Sequence, residues 1–516
     1  MRLILQHFPV SGGTAETLRS SSAGLPKRRP EESGTHVECF ARPSILGAAM
    51  TYGMTNATSS NEYSDTIGEL SEEFEHLWLE RYTQPITYTC SSERQPLCSR
   101  RPLEAGSGAP DISNGVARDV RCLYSGIPPS VDASRAMRDE YLAQVANEYF
   151  IEQLDCWFTS PPPAVSGLMA SQQSGPTRIL LVVHFGAKLL QALKEDIPII
   201  QTYIGWIDRY EDSLTRESSS RPSLSETRDC LMSHLKLATF KSTLVDSTAG
   251  YVLLQRAYPK FLLVVATDSD LLVEQPNGSL VISFSRVISA PWDAVVWFAM
   301  YDTVSAFLLG TIPLAEYGYN CEGGSEQHRF EWIYGIPVAM LQVIAQVNSR
   351  RAGSRVALDD WQTLERRVMD WKVSFSMIKI GRSADSVDKE RCAVLEGWRH
   401  VVLIYIYMGV CGVSSHDARV QASVSRIFEL GARVGSSRIA PHMLPHCVVA
   451  GLAARQEKQR MAVYEKLISF KDTRVWLYCG QQFSEFLYSL WHGVGIGGAA
   501  VTWGDYVRSR RTIVPI

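Results

Sequence analysis

Apolar and polar positions recur along most of this chain with the step of a helix. "MRDEYLAQVANEYFIEQLDCWF" places Met137, Tyr141, Val145 and Glu148 or Tyr149 at four-residue steps, which is one helix face. The prolines of "SPPP" (Ser160 to Pro163) end that segment, because proline cannot continue the backbone ladder. "LDDWQTLERRVMDWKV" repeats the logic. Trp361, Leu364, Val368 and Trp371 form a stripe expected to be buried, while Asp360, Glu365, Arg366 and Asp370 face water. Roughly a dozen or more such segments run on through Val507, joined by short loops. Only "GSLVISFS" (Gly278 to Ser285) alternates like a strand, and no β-α-β alternation is present. The pattern predicts a mainly α, multi-helix fold.

Two apolar runs raise the question of a membrane. "VVLIYIYMGVCGVSSHDARVQ" is apolar from Val401 to Val413, with Arg399 and His400 before it and Ser414 to Asp417 after it. A spanning helix needs about 20 mostly apolar residues, so this run is too short. Ala294 to Leu314 is long enough but carries Asp302 near its middle, at about 3 kcal/mol if set at a bilayer centre. Both runs read as buried helices of a core, and no membrane association is expected. "MRLILQHFPVSGG" at the N-terminus is too weakly apolar for a secretory signal.

Before about Ser130 the texture differs. "SSSAGLPKRRPEESG", "SSERQPLCSRRPLEAGSGAP" and "SGIPPSVDAS" are rich in Ser, Gly, Pro and Arg. Such windows hold too few apolar residues to repay the entropy of ordering. Residues 1–130 are therefore expected to be a largely disordered N-terminal region. It holds one short helix in "IGELSEEFEHLWLERY", with Leu70, Phe74, Leu77 and Trp78 on one face. Residues 131–516 are expected to form the helical domain.

The composition is ordinary for a globular protein, with 45% hydrophobic and 20% charged residues and a net charge of −3. No basic field points to nucleic acid. The 11 cysteines are scattered, which suits reduced thiols better than a disulfide framework.

The candidates for chemistry have structural readings beside them. Cys411, His416 and Asp417 lie together, but Gly409 and Gly412 are placed to end a helix, and Ser414-x-x-Asp417 has capping-box spacing for the next one. "GVGIGG" (Gly493 to Gly498) fits G-x-G-x-x-G, yet a helix-like segment precedes it where a dinucleotide site needs a strand. His442 and His446 lack the glutamate and third ligand of a zinc site, and Pro445 suggests a capped helix start. Asp359 and Asp360 suit a helix N-terminus, without the third carboxylate of a magnesium-binding helix. There is no G-x-S-x-G elbow and no Walker phosphate loop. No catalytic, cofactor-binding or metal-binding residue is assigned.

Four stretches carry a resemblance: "YIGWIDRYE" (Tyr203 to Glu211), "AMYDTVSAFLLGTIPLAEYGY" (Ala299 to Tyr319), "LIYIYMGVCGVSSHDARVQ" (Leu403 to Gln421) and "HCVVAGLAARQEKQR" (His446 to Arg460). Together they resemble the fungal-specific transcription factor domain over about residues 131–516. This is the helical regulatory region of fungal binuclear zinc-cluster factors, in its basidiomycete form. The resemblance implies a nuclear transcriptional regulator, not an enzyme, whose partners are co-regulators or a small effector. DNA binding and zinc come with the family only. The family's reader holds two zinc ions with six cysteines in C-x-x-C pairs, whereas the nearest cysteines here, Cys90 and Cys98, are eight positions apart. No zinc and no DNA binding are expected of this chain itself. "PKRRP" (Pro26 to Pro30) and "SRRP" (Ser99 to Pro102) are read by composition as a solvated disordered arm, with import signals or leftover linker as the alternatives. A second departure is Ala453, where the family often carries a glutamate. The alternative readings are an α-helical interaction scaffold without a DNA role and, behind it, an all-α metabolic enzyme.

Overall fold

The computed structural model describes residues 156–160, 182–187, 189, 200–216, 223–275, 278, 280–290, 293–319, 329–373, 386–470 and 475–516. The expectations for residues 1–130, the helix at Leu70 and the Met137 stripe lie outside them. All the described residues fall in one compact unit, Pro110–Ile516.

The fold is mainly α, as the periodicity predicts. The elements run α1 (Ile200–Arg216), α2 (Leu224–Leu244), α3 (Ser247–Ala266), β1 (Leu272–Glu274), β2 (Leu280–Ser283), α4 (Phe284–Ile288), α5 (Asp293–Leu308) and β3 (Tyr317–Gly318). They continue α6 (Arg329–Tyr334), α7 (Val338–Arg351), α8 (Trp361–Asp370), α9 (Ser386–Gly409), α10 (Ala418–Val434), α11 (Leu444–Ala453), α12 (Glu457–Ser469), α13 (Gly480–His492) and α14 (Trp503–Ile513).

The expected strand is shorter than its pattern. β2 stops at Ser283 and α4 takes over from Phe284, which packs edge-on against Tyr317. β2 lies between β1, antiparallel with Val273 opposite Val281, and β3, parallel with Ile282 opposite Tyr317. β1 and β3 are too short to carry a periodic signal.

Two helices form the centre. In α9 every residue from Val401 to Met408 is buried. In α5 the run from Asp302 to Leu308 is buried, as are Val295 and Phe298. A helix apolar on all sides has to be wrapped by others. α9 is wrapped by α7, α8, α10 and α11, and α5 by α2, α3, α4 and α7. A polar chain crosses this centre. Asn348 of α7 donates to the Thr303 carbonyl of α5 at 2.9 Å and accepts from the Tyr405 hydroxyl of α9 at 2.5 Å. α2 and α3 form a helical hairpin through Val245 and Asp246, whose carboxylate caps α3 on the Ala249 N–H. α1 is fastened to that hairpin by the buried Glu211, which meets Lys241 at 2.8 Å and also pairs with Arg256.

No helix among the described residues is long and apolar enough to cross a bilayer. Arg399 and His400 are not flanks of the 401–413 run but lie inside α9, where Arg399 donates to the Trp371 carbonyl at 2.6 Å.

The α8 stripe is half as predicted. Leu364 and Val368 are fully buried, but Trp361 and Trp371 are half-buried at the two ends of a short helix. Trp361 sits at the rim, where the Arg419 guanidinium covers its ring at 5.8 Å. Leu364→Ala should therefore destabilise the fold by about 2–5 kcal/mol, and Trp361→Ala by less than a fully buried tryptophan would. Urea unfolding of the two variants checks that order.

Candidate functional site

Most of the residues singled out in the sequence are occupied with the backbone. Asp417 is itself the N-cap of α10, accepting from the Arg419 N–H at 2.9 Å. That corrects the expected capping box, since Ser414 binds the His416 N–H instead. Gly409 ends α9 and Gly412 takes a left-handed φ of 68°, as its helix-ending role requires. His416 donates through Nε2 to the Gly498 carbonyl at 3.0 Å. Burial raises the Cys411 thiol pKa, which disfavours the thiolate a nucleophile needs.

Gly493 to Gly498 is the turn between α13 and α14, with a helix before it. Its carbonyls serve the protein: Gly495 accepts from Arg460 and Gly498 from His416. A phosphate cradle would present N–H groups instead. His442 and His446 stand at the start of α11 but do not cap it. His442 Nδ1 donates to the Tyr334 carbonyl at 3.2 Å and His446 Nε2 to the Val394 carbonyl at 3.0 Å. Burial pushes their pKa values down to about 4 and about 3, so both are neutral. Asp360 caps α8 on the Thr363 N–H, and Asp359 pairs with Arg367 and accepts from Gln346. Among the described residues no group of three His, Cys, Asp or Glu is placed to hold a metal.

The motifs do converge in another way. α11 ends against α10, α12 and α13, so its last carbonyls cannot reach water and need partners. Trp491 donates to the Gly451 carbonyl at 2.9 Å, Gln421 to that of Ala453 at 2.9 Å, and Arg460 to that of Ala454 at 3.1 Å. Gln421 also holds the Ser415 carbonyl at 2.5 Å, and Ser415 exchanges two hydrogen bonds with Val501. Arg460 reaches on to Gly495 at 2.7 Å. One junction thus ties the turn after α9, the end of α11 and the turn after α13. Gly451 allows the approach, since a Cβ there would stand 2.6 Å from Leu487 and 2.8 Å from Val463.

The run from Ala299 to Tyr319 closes on itself. Asp302, 1% exposed, accepts from the N–H of Leu314 at 2.7 Å, from that of Ala315 at 3.2 Å and from the Tyr317 hydroxyl at 3.2 Å. Burial raises its pKa to about 7, against the pull of these three donors. The periodic pattern had no means of finding Gln421 as a helix-end partner or Arg460 as the link to Gly495, because those targets lie 32 and 35 positions away. The only trace in the sequence is a polar side chain inside an otherwise apolar motif.

Residues 294–511 match the family model described as the fungal specific transcription factor domain. That span, somewhat under half of the chain, is similar to the domain whose resemblance the sequence motifs carry, and the family is one of transcriptional regulators. Comparison with curated proteins and with solved structures gave no match.

Two outcomes follow. Arg460→Met keeps the side-chain volume but orphans two buried carbonyls, and it should cost about 1–3 kcal/mol in urea unfolding. An acid whose folded pKa lies above its unfolded value binds more protons when folded. The Asp302 contribution is then complete below about pH 4 and lost as pH rises towards 7. In Asp302→Asn that fall should vanish, seen as a flatter urea midpoint between about pH 4 and pH 7 than in the unaltered protein.

Proposed function

We propose that residues 131–516 are the regulatory half of a nuclear transcriptional regulator of the fungal zinc-cluster family, receiving a co-regulator or a small effector, and that DNA reading is not a property of this chain. The family match over residues 294–511 carries the reading. The arrangement supports a regulatory role over an enzymatic one, because the polar residues of the motifs are engaged in holding helix ends. The family is likewise regulatory and not enzymatic.

Base readout needs a rigid element in a groove, and phosphate contact needs clustered Lys and Arg. The chain contains no C-x-x-C pair and has a net charge of −3, so neither term is supplied. "PKRRP" offers at most weak attraction that fades with salt. A separate DNA-binding subunit, or cysteines encoded upstream of Met1, would complete the regulator.

Purified residues 1–516 should contain no stoichiometric zinc and give no specific complex with selected duplexes at physiological salt in the presence of competitor DNA. The same residues fused to a heterologous DNA-binding domain should change reporter transcription. Two zinc ions per chain, or a specific complex that withstands competitor, would overturn the DNA part. A silent fusion that is well expressed in the nucleus would overturn the regulatory part.

A further inference from the structure

Four of the ten large apolar side chains left exposed among the described residues fall at one place: Met461 of α12, Tyr488 of α13, and Val494 and Ile496 of the turn that follows it. They adjoin because α12 and α13 run side by side in opposite directions. Tyr464 meets Tyr488 at 6.3 Å between ring centroids. One turn back along α12, the Arg460 guanidinium stands 5.9 Å from the Trp491 ring and donates to the Gly495 carbonyl at 2.7 Å. Met461 lies one turn from Tyr464 on α12, and His492 one turn from Tyr488 on α13, stacked on its ring at 3.9 Å. The turn itself is fastened. Gly495 donates to the Leu490 carbonyl at 2.9 Å, and Arg460 and His416 hold the carbonyls of Gly495 and Gly498. Val494 and Ile496 are thus exposed on a backbone already fixed, and covering them costs little ordering entropy. Grouped exposed apolar side chains mark an interaction surface more often than single ones do.

The outer face of α12 shows what fits. Arg460, Val463 and Leu467 turn to the core. On the opposite face Lys458, Met461, Ala462 and Glu465 follow one another at helical spacing, and all four are exposed. A cation and an anion stand at equal distances either side of the Met461–Ala462 centre. They are seven positions, about 10.5 Å, apart along the helix, too far to pair with each other. Arg426 and Glu429 of α10, three positions apart, do pair. A two-fold axis through the centre of the stripe brings the partner's Glu465 to Lys458 and the partner's Lys458 to Glu465. It also sets the large Met461 against the small side chain of the partner's Ala462. The end of α12 beside Val494 and Ile496 then comes over the end of the partner's α12 beside the partner's Tyr488. The stripe is therefore complementary to itself in charge and in size, which binding to an unlike protein does not require.

We infer that this face is a docking surface for a second copy of the chain, with α12 packed antiparallel on the partner's α12 and the same patch used by both copies. Met461, Tyr488, Val494 and Ile496 supply the apolar centre, and the two Lys458–Glu465 pairs fix direction and register at its rim. A patch of this extent suits a dimer that forms with rising concentration and not an obligate one. The inference goes beyond the regulatory reading and does not depend on it.

Sedimentation of the full chain across the micromolar range should show its mass rising towards that of two copies. In K458E an anion faces the partner's Glu465, and in E465K a cation faces the partner's Lys458. Each variant should associate roughly tenfold more weakly, because both symmetry-related pairs turn repulsive. An equimolar mixture of K458E and E465K restores opposite charges at both pairs and should regain the unaltered affinity, as should the double variant K458E/E465K. Both positions are exposed, so the variants keep the fold, which an unchanged Tm verifies. I496D, at the turn, should weaken association by a similar factor. A chain that stays single at high micromolar concentration would overturn the inference, and so would association that ignores these charges. Single variants that mixing fails to restore would also overturn it, since only the antiparallel two-fold arrangement predicts that rescue. If the chain stays single while M461E alters the output of the reporter fusion, the face belongs to an unlike protein.

Discussion

The rest of the structure depends on a helix without a solvent face. From Val401 to Met408 α9 is buried all round, so it has to be enclosed by other helices. α7, α8, α10 and α11 do this, and each brings its own apolar face inward. Enclosure leaves no water for polar groups within. The Tyr405 hydroxyl is taken by Asn348, whose amide goes to Thr303 of α5, and Arg351 donates to the same hydroxyl at 3.3 Å. The chain fixes how α5, α7 and α9 sit together, in directions that apolar contact alone leaves open.

The same constraint explains the polar residues at helix ends. A helix ending inside a core leaves carbonyls that only other side chains can reach. At α11 they are reached by Gln421, Arg460 and Trp491, each from a different helix. At α5 the problem is inverted, since the backbone N–H groups of Leu314 and Ala315 are met by the Asp302 carboxyl. The sequence motifs that lie within 294–511 therefore record how helices are closed and docked. Ala453, where the family often has a glutamate, is fully buried. A carboxylate at that position would have to enter the core.

The rings of Trp398, Trp476 and His446 are enclosed at the centre of the fold. They occupy the inner end of an aromatic series that begins at half-buried residues of α5.

The sequence by itself determined the helical class, the burial of Val401 to Met408 and of Asp302 to Leu309, and a resemblance that the match over 294–511 supports. Periodicity and local capping are properties of neighbouring residues, so Leu364, Val368, Gly409 and Asp360 behave as their surroundings in the chain dictate. Tertiary structure decided what depends on distance along the chain. It left Trp361 and Trp371 at the ends of a short helix half-buried, although they continue the α8 stripe. It turned Phe284 from a strand pattern into α4 by packing it against Tyr317. It also made His446 a core donor and a neighbour of the Trp398 indole, where the local sequence showed only a histidine after a proline. Hydrogen-bond partners dozens of positions apart leave no periodic trace, because their pairing is set by which helix ends the core brings together.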